Sequence, residues 1–334
     1  MDELALAELC NRYALGKPTA ALEPVTGGLL HHIYRLQTTQ GQFAVKVLNP
    51  TIMQYANVRE NFRRSECIAR AVAAANIPAV TALQSAGDII QDIGQAAVIV
   101  FPWMDAQALS SAPVCPDQAR QIGHILGRIH ALPLHFGEPP SPEPQTLPDA
   151  EDAEWAFLVA EAEKQQAAWA SALRHSLPDI AAWIRSSKEA RQALQGGWVI
   201  SHGDLDQKNV LWVDEQTPWL IDWEAVGHVQ PAIEAVGAAL NWGGQASGTL
   251  EIASFEAFLE GYRREAALTP EEVRYGLRAY CGDWCGWLKH SMGRSLGLAA
   301  SDPEERALGT RETFSTLRAL HSAAINIPAL ERGL

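Results

Sequence analysis

A polar segment in the second half of the sequence, HGDLDQKNVLW (202–212), holds the residue types that phosphoryl transfer requires. Asp204 is followed five residues later by Asn209, and Asp222 comes after a short predicted hairpin in LIDWE. An aspartate can accept or orient a hydroxyl proton, and an amide and a second carboxylate offer hard oxygen ligands for Mg²⁺. This order predicts phosphoryl transfer from ATP. The competing interpretation is a capped loop whose carboxylates only satisfy backbone amides.

A lysine on a predicted strand supports the same chemistry. In FAVKVL the side chains of Ala44, Lys46 and Leu48 share one face, which is unusual for a lysine that only protects a sheet edge. An ammonium at this place can neutralise the α- and β-phosphates and pair with a helix glutamate. The expected partner is Glu66 in RRSECIARA, with Glu60 as the competitor.

Two glycines, Gly27 and Gly28, are predicted to open the turn between the first two strands. A backbone without side chains can approach nucleotide phosphates closely there. The segment has no G-x-G-x-x-G pattern, so a plain hairpin turn is the alternative. His31 and His32 follow without ligand spacing, and no role is predicted for them.

Hydrophobic periodicity predicts an α+β protein. The segments EPVTGG, HIYRLQT, QFAVKVL, VTALQSAG and AAVIVFPW are typical of strands, and residues 58–75 indicate a helix, so the first part is expected to form a five-stranded antiparallel sheet with helices. From Asp117 onward helices dominate, beginning with a stripe at Ile122, Ile125, Leu126 and Ile129. Further helices are expected in 150–195 and near 231–240, 251–266, 271–293 and 302–325.

Length and composition limit the class of protein. A chain of 334 residues exceeds what one hydrophobic core usually serves, so two domains are expected. The net charge of −13 argues against nucleic acid or an anionic membrane as partner. The acidic amino terminus does not resemble a signal peptide, and the longest apolar run, 96–104, is too short to span a membrane, so a cytoplasmic location is expected. Five scattered cysteines indicate neither disulfides nor a zinc site.

These motifs together resemble the aminoglycoside phosphotransferase family, which is related to protein kinases and includes choline and fructosamine kinases. The resemblance rests on VTGGLLHHIYRL, AVKVL, IVFPWMDAQAL and HGDLDQKNVLW with LIDWE. It implies a bilobal protein-kinase-like fold, with a nucleotide-binding lobe over 1–104 and a mainly helical lobe with the catalytic loop and acceptor site over 105–334.

The family resemblance also implies the roles of the site residues. Asp204 would be the catalytic base, Asn209 and Asp222 the magnesium ligands, and Lys46 the phosphate contact with Glu66 behind it. ATP and Mg²⁺ are the expected cofactors. The predicted hinge, 102–104, would meet adenine through backbone groups of Trp103 and Met104, because Pro102 has no N–H to donate.

The acceptor site is harder to predict. Asp206 stands where many relatives carry histidine, and it either favours a cationic acceptor or is neutralised by Lys208. Asp283, Trp284 and Trp287 lie on a predicted helix and are candidates for an acidic and aromatic wall, although tryptophans at helical spacing also suit a core. Glu234 and Glu224 are further candidates for the acceptor pocket.

The sequence therefore predicts an ATP-dependent kinase that phosphorylates a hydroxyl of a small, cationic acceptor such as an aminoglycoside-like antibiotic. A metabolic kinase for an amino alcohol, amino sugar or related metabolite is the first alternative. A nucleotide-binding pseudokinase scaffold is the second, although the joint presence of Lys46, Asp204, Asn209 and Asp222 argues against it. A protein substrate is disfavoured because the chain has no A-P-E segment after Asp222.

Overall fold

The computed structural model of the protein describes residues 3–25, 31–109, 114–139, 148–298 and 302–333. The helices in these ranges are α1 (Glu3–Arg12), α2 (Val58–Ala74), α3 (Pro116–His130), α4 (Pro148–Lys164), α5 (Ala170–Ala193), α6 (Pro231–Trp242), α7 (Ile252–Tyr262), α8 (Pro270–Leu296) and α9 (Pro303–Gly333). The strands are β1 (Glu23–Val25), β2 (His32–Thr38), β3 (Gly41–Val47), β4 (Gln91–Ile93), β5 (Ala96–Pro102), β6 (Gln107–Ala108), β7 (Val199–Ser201), β8 (Val210–Trp212), β9 (Pro218–Leu220) and β10 (Gly227–Val229). Gly27 and Gly28 lie outside the described residues.

The chain divides into two compact units. The first comprises Met1–Leu109, Leu132–Phe136 and His202–Gly227, and the second comprises Ser110–Ala131, Gly137–Ser201 and His228–Leu334. The polar segment that carries Asp204 and Asp222 therefore belongs to the same unit as the amino-terminal strands. The domain boundary at residue 104 stays a prediction.

The first unit contains a five-stranded sheet in the order β1-β2-β3-β5-β4. Each neighbouring pair of strands is antiparallel, which confirms the predicted sheet. Lys46 on β3 lies opposite Ile33 on β2 and Ile99 on β5. Because side chains alternate along a strand, Val45 packs into the core beside α1, whereas Lys46 is directed to the opposite face of the sheet.

One predicted strand was placed wrongly. Residues 80–87 were expected to form a strand, but the fifth strand of the sheet is β4, Gln91–Ile93. The backbone N–H of Val80 donates to Leu220 of β9, and that of Leu83 donates to Val100 of β5. The segment thus shares its hydrogen bonds between two elements instead of forming one continuous ladder, and periodicity alone does not distinguish these two cases.

The second unit is mainly helical, as predicted. The stripe on α3 is buried, and α3 packs closely on α7. A Cβ added at Gly123 would lie 2.0 Å from the backbone oxygen of Phe258, and one added at Gly261 would lie 2.0 Å from that of Arg120. Glycine at these two positions is what allows the helix backbones to approach this closely.

Elsewhere in this unit, α6, α7, α8 and α9 confirm the helices expected near 231–240, 251–266, 271–293 and 302–325. A capping box begins α8, where Thr269 accepts from the backbone N–H of Glu272 and Glu272 accepts from that of Thr269. None of the helices in the described part of the chain combines the length and apolarity needed to cross a membrane.

Candidate active site

The loop that carries Asp204 is held in place by His202, which is fully buried. The Nδ1 atom of His202 accepts from the backbone N–H of Asp204 at 3.3 Å, and its Nε2 lies 2.9 Å from the backbone oxygen of Ile221. Since Nδ1 accepts, Nε2 carries the hydrogen and donates to Ile221. The histidine therefore connects the Asp204 loop to the end of β9, one residue before Asp222.

Gly203 allows the loop to turn beside the segment that follows Asp222. Its φ is +78°, and a Cβ at this position would lie 2.1 Å from the backbone oxygen of Ala225. A larger residue would meet both a left-handed backbone and a steric clash. The glycine in His-Gly-Asp thus has a structural reason independent of any ligand.

The hairpin of β8 and β9 places Asn209 next to Asp222. Val210 pairs with Leu220, and the backbone N–H of Ile221 donates to the backbone oxygen of Asn209 at 3.0 Å. The side-chain Nδ2 of Asn209 donates to the Asp204 carboxylate at 2.8 Å. With its nitrogen directed at Asp204, the amide leaves its oxygen available as a ligand.

Asp222 has a left-handed backbone conformation, with φ 62° and ψ 63°. This conformation is uncommon outside glycine, and such residues are concentrated at functional sites. The conformation directs the carboxylate to Lys46, whose Nζ lies 2.9 Å from Oδ1 of Asp222. The two residues are 176 positions apart in the sequence, and the fold of the first unit brings them together.

Lys46 lies between two carboxylates. Its ammonium forms ion pairs with Asp222 and with Glu224, and only 11% of its side chain is exposed. Burial by itself lowers the pKa of Lys46, but the charges and hydrogen bonds of Asp222 and Glu224 outweigh burial and raise the pKa above its usual value. The lysine therefore presents a permanent positive charge.

The expected pairing of Lys46 with Glu66 is wrong in this structure. Glu66 lies on α2, where its carboxylate accepts from the backbone N–H of Ala82 at 2.8 Å and pairs with Arg70 at 3.0 Å. Burial raises the pKa of Glu66 to about 7, although Ala82 and Arg70 lower it in part. Glu66 thus anchors the segment before β4. Its competitor Glu60 lies 4.0 Å from Arg63 and is largely exposed.

Glu224 and His31 make contacts that the sequence does not predict. Glu224 was expected in the acceptor pocket, but it pairs with Lys46, and its other oxygen lies 3.2 Å from Nε2 of His31. The available signal was its position two residues after Asp222 in LIDWE, which a 3-10 turn, Trp223–Ala225, brings round to the lysine. His31 offered no signal, because its partner is distant in the sequence.

The two hinge candidates differ in the hydrogen bonds of their backbones. The N–H of Trp103 donates to the backbone oxygen of Gln42 at 3.1 Å, which continues the ladder between β3 and β5. Within the described part of the chain no partner is found for the N–H of Met104. The side chain of Trp103 packs under Arg35, whose guanidinium lies 4.9 Å from the ring centre. Met104 is therefore the better donor to a ligand.

The unusual Asp206 begins the 3-10 turn that ends at Asn209. Its Oδ1 accepts from the backbone N–H of Gln207 at 2.7 Å. Burial raises the pKa of Asp206, and the Gln207 N–H and the charge of Lys208 offset this only in part. The ammonium of Lys208 forms its ion pair with Asp204 instead, at 3.2 Å from Oδ2.

The other acceptor candidates lie in the second unit. Glu234 contacts the buried His130 at 2.6 Å, and Asp283 forms an ion pair with Arg191. Trp284 is partly buried beside Tyr280, with ring centres 5.7 Å apart. Trp287 is 45% exposed, and its ring stacks on His290 with centroids 5.1 Å apart.

The residues predicted to bind Mg²⁺ fit a hard cation. Asp222 contributes a carboxylate that is 43% exposed, and Asn209 contributes an amide oxygen. Among the described residues no group of three or more His, Cys, Asp or Glu is arranged to hold a metal ion. Mg²⁺ beside a nucleotide is commonly held by one or two carboxylates, and phosphates and water complete its coordination.

Comparison with known proteins gives the family. A profile described as the phosphotransferase enzyme family matches residues 21–268, and no curated protein matches the chain significantly. A spectinomycin phosphotransferase solved with ADP and spectinomycin is 14% identical, with 95% of this chain and 98% of that chain covered and a TM-score of 0.67. A choline kinase from Streptococcus pneumoniae is 16% identical, with coverage of 95% and 98% and a TM-score of 0.61. An ethanolamine kinase from Plasmodium vivax is 18% identical, with coverage of 91% and 83% and a TM-score of 0.59.

At these low identities the structural likeness shows the fold, and it confirms the bilobal, kinase-like α+β class predicted from the sequence. The family profile spans most of the first unit and much of the second, including the strand of Lys46 and both segments around Asp204 and Asp222. The chain therefore belongs to the phosphotransferase enzyme family, the aminoglycoside phosphotransferase family that its motifs resemble.

Proposed function

We propose that the protein is a kinase that transfers the γ-phosphoryl group of Mg·ATP to a hydroxyl group of a small molecule. The observation that carries this proposal is the assembly of four polar side chains in the first unit. Asn209 donates to Asp204 at 2.8 Å, Lys46 contacts Asp222 at 2.9 Å, and the β8–β9 hairpin joins the two pairs. A base, an amide, a carboxylate and a buried cation are the groups that phosphoryl transfer uses.

Asp204 acts as the base in this proposal. The acceptor oxygen attacks the γ-phosphorus, the bond from that phosphorus to the ADP oxygen breaks, and the hydroxyl proton passes to the Asp204 carboxylate. Asn209 orients this carboxylate through its Nδ2 hydrogen bond, and Lys208 keeps a positive charge 3.2 Å from it. The Asp204 side chain is 42% exposed, so an acceptor has access to it.

The nucleotide is held by Lys46, Met104 and the metal ligands. The ammonium of Lys46 contacts the phosphates, and the backbone N–H of Met104 donates to the adenine. Asp222 and the amide oxygen of Asn209 would hold Mg²⁺, which when bound neutralises charge on the phosphates. Two observations support these assignments: the Met104 N–H has no partner among the described residues, and the amide nitrogen of Asn209 is directed at Asp204.

For the acceptor, we propose a small cationic compound with a hydroxyl group. The similar structures are named as kinases of spectinomycin, choline and ethanolamine, so both antibiotics and amino alcohols belong in the test. Asp206 offers a carboxylate in the catalytic loop, which suits an ammonium group. A cytoplasmic location is part of the same proposal.

An ADP-release assay with a panel of acceptors tests the function. Aminoglycosides and spectinomycin form one arm, choline, ethanolamine and amino sugars the other, and a reaction without acceptor gives the background. Stimulation by the first arm supports an antibiotic kinase, and stimulation by the second supports a metabolic kinase. Protein that binds Mg·ATP but transfers phosphate to none of these compounds would contradict the kinase proposal and favour a pseudokinase.

A further inference from the structure

His31 is a buried histidine whose two ring nitrogens are both engaged within the first unit. Its Nδ1 accepts from the backbone N–H of Asn49 at 3.0 Å, just after β3. Its Nε2 lies 3.2 Å from Oε2 of Glu224. The ring packs against Phe62 of α2, with centroids 5.8 Å apart. Because Nδ1 accepts a hydrogen bond, the hydrogen is on Nε2, and the ring donates it to Glu224.

The two carboxylate oxygens of Glu224 contact different residues, His31 and Lys46. Oε2 faces His31, and Oε1 forms the ion pair with the ammonium. Both oxygens of the carboxylate are therefore engaged, one by His31 and the other by Lys46.

No other glutamate is in position to hold Lys46 in the described part of the chain. The carboxylate of Glu66 accepts from the backbone N–H of Ala82 and pairs with Arg70. Asp222 does contact Lys46, but its carboxylate is also proposed to bind Mg²⁺. Among the described residues, Glu224 is the one acidic group that contacts both Lys46 and His31.

We propose that His31 is a positioning residue for the nucleotide site, which sets the place of Lys46 through Glu224. The inference rests on the proposed function, because it requires Lys46 to contact nucleotide phosphates. The ring fixes the carboxylate, and the carboxylate fixes the ammonium on the buried face of β3. Removal of the ring leaves Glu224 free to rotate and Lys46 with a less defined position.

The test is the affinity for ADP with Mg²⁺, measured by calorimetry on the full chain, together with kcat and KM for ATP. His31→Ala is expected to weaken ADP binding by about tenfold, as loss of an outer partner of a ligand-binding group does. KM for ATP should rise more than kcat falls. His31→Gln keeps a donor toward Glu224 and should restore part of the affinity. His32→Ala is the matched control, because His32 is the exposed neighbour, and it should bind ADP as the wild type does.

A second pair of variants identifies the carboxylate that acts on Lys46. Glu224→Gln should weaken ADP binding more than Glu66→Gln does, whereas the reverse order would overturn the proposal. A folded His31→Ala protein with wild-type ADP affinity would also overturn it. If His31→Ala does not fold, the ADP affinities of His31→Gln and Glu224→Gln test the proposal instead. Wild-type protein that binds no nucleotide would instead contradict the proposed function itself, so the two failures are distinguishable.

Discussion

Two buried histidines each contact a glutamate, and the two pairs differ in what lies beyond the glutamate. In the first unit, Nε2 of His31 lies 3.2 Å from Glu224, and Glu224 in turn holds Lys46. In the second unit, Nε2 of His130 lies 2.6 Å from Glu234 and 3.1 Å from the hydroxyl of Ser201. The other nitrogen of His130 contacts the hydroxyl of Tyr262 at 2.9 Å.

The two networks differ in where they lead. The His31 network continues to Lys46 and Asp222, and ends at carboxylates that remain 28% and 43% exposed. The network of His130 turns inward, because it joins α3, β7, α6 and α7, and its glutamate is only 13% exposed. A buried polar group with all its partners within the core contributes to the stability of one packing arrangement. A network that ends at an accessible charge is available to a ligand.

The largest effect is expected at Asp204, within the first unit. Asp204→Asn retains an acceptor for the Nδ2 of Asn209 but cannot take a proton, so kcat should fall by roughly 10²- to 10⁴-fold with little change in ADP affinity. Steady-state kinetics and calorimetry measure the two quantities. Asp214→Asn, in the hairpin turn of the same unit, is the control and should keep its kcat. An unchanged kcat in Asp204→Asn would remove Asp204 from its role as base.

The second prediction concerns the metal. Asp222→Ala removes a proposed magnesium ligand, so Mg²⁺ should raise the affinity for ADP less in the variant than in the wild type. The gain in affinity is expected to be smaller by on the order of 100-fold. A magnesium titration of ADP binding measures this increase. A titration indistinguishable from that of the wild type would show that Asp222 is not a magnesium ligand. Its contact with Lys46 would then be its remaining interaction in the proposed site.

The third prediction tests the inward-facing network. His130→Ala removes the buried ring that contacts Glu234, Ser201 and Tyr262, so it should lower the free energy of unfolding by roughly 2–3 kcal/mol. ADP affinity should not change in the folded protein. Urea denaturation and calorimetry test both statements, with His124→Ala as a control on the more exposed side of α3. A loss of ADP affinity at unchanged stability would break the distinction between the two networks.

Glu66 gives a smaller effect that depends on pH. Its pKa is about 7 in the folded protein against 4.5 for the free group, so between these values the unfolded chain loses the proton while the folded chain keeps it. The free energy of unfolding should therefore fall as pH rises from 4.5 to 7, by on the order of 1–2 kcal/mol from this group. Glu66→Gln should flatten the pH profile of urea denaturation, whereas Glu60→Gln should not. Identical profiles for the wild type and Glu66→Gln would contradict the raised pKa.

The smallest effect is expected at an ion pair of the second unit. Arg191 and Asp283 are about half exposed, so their mutual attraction is screened by water. Arg191→Ala should change the free energy of unfolding by less than about 1 kcal/mol. The same variant frees the Asp283 carboxylate, so KM for the acceptor becomes a test of Asp283. An unchanged KM would argue against Asp283 as an acceptor residue.

Much of the fold was accessible from local sequence patterns. The alternation around Lys46 and the stripe at Ile122 and Ile125 each extend over one element, and both were predicted correctly. The strand assigned to 80–87 was wrong, because its backbone bonds to two elements that lie far apart in the sequence. Local periodicity reports which side chains face a core, but not which distant strand accepts a hydrogen bond.

The sequence by itself determined the chemical groups and their order along the chain: Lys46 on a strand, Asp204 and Asn209 in one loop, and Asp222 after a hairpin. Only the tertiary structure decided which carboxylate holds Lys46. Glu60, Glu66 and Glu224 have the same charge, and the sequence does not give the distance of any of them from the lysine. The choice depends on which partners surround each glutamate after folding, since Ala82 and Arg70 engage Glu66 whereas His31 leaves an oxygen of Glu224 facing the lysine.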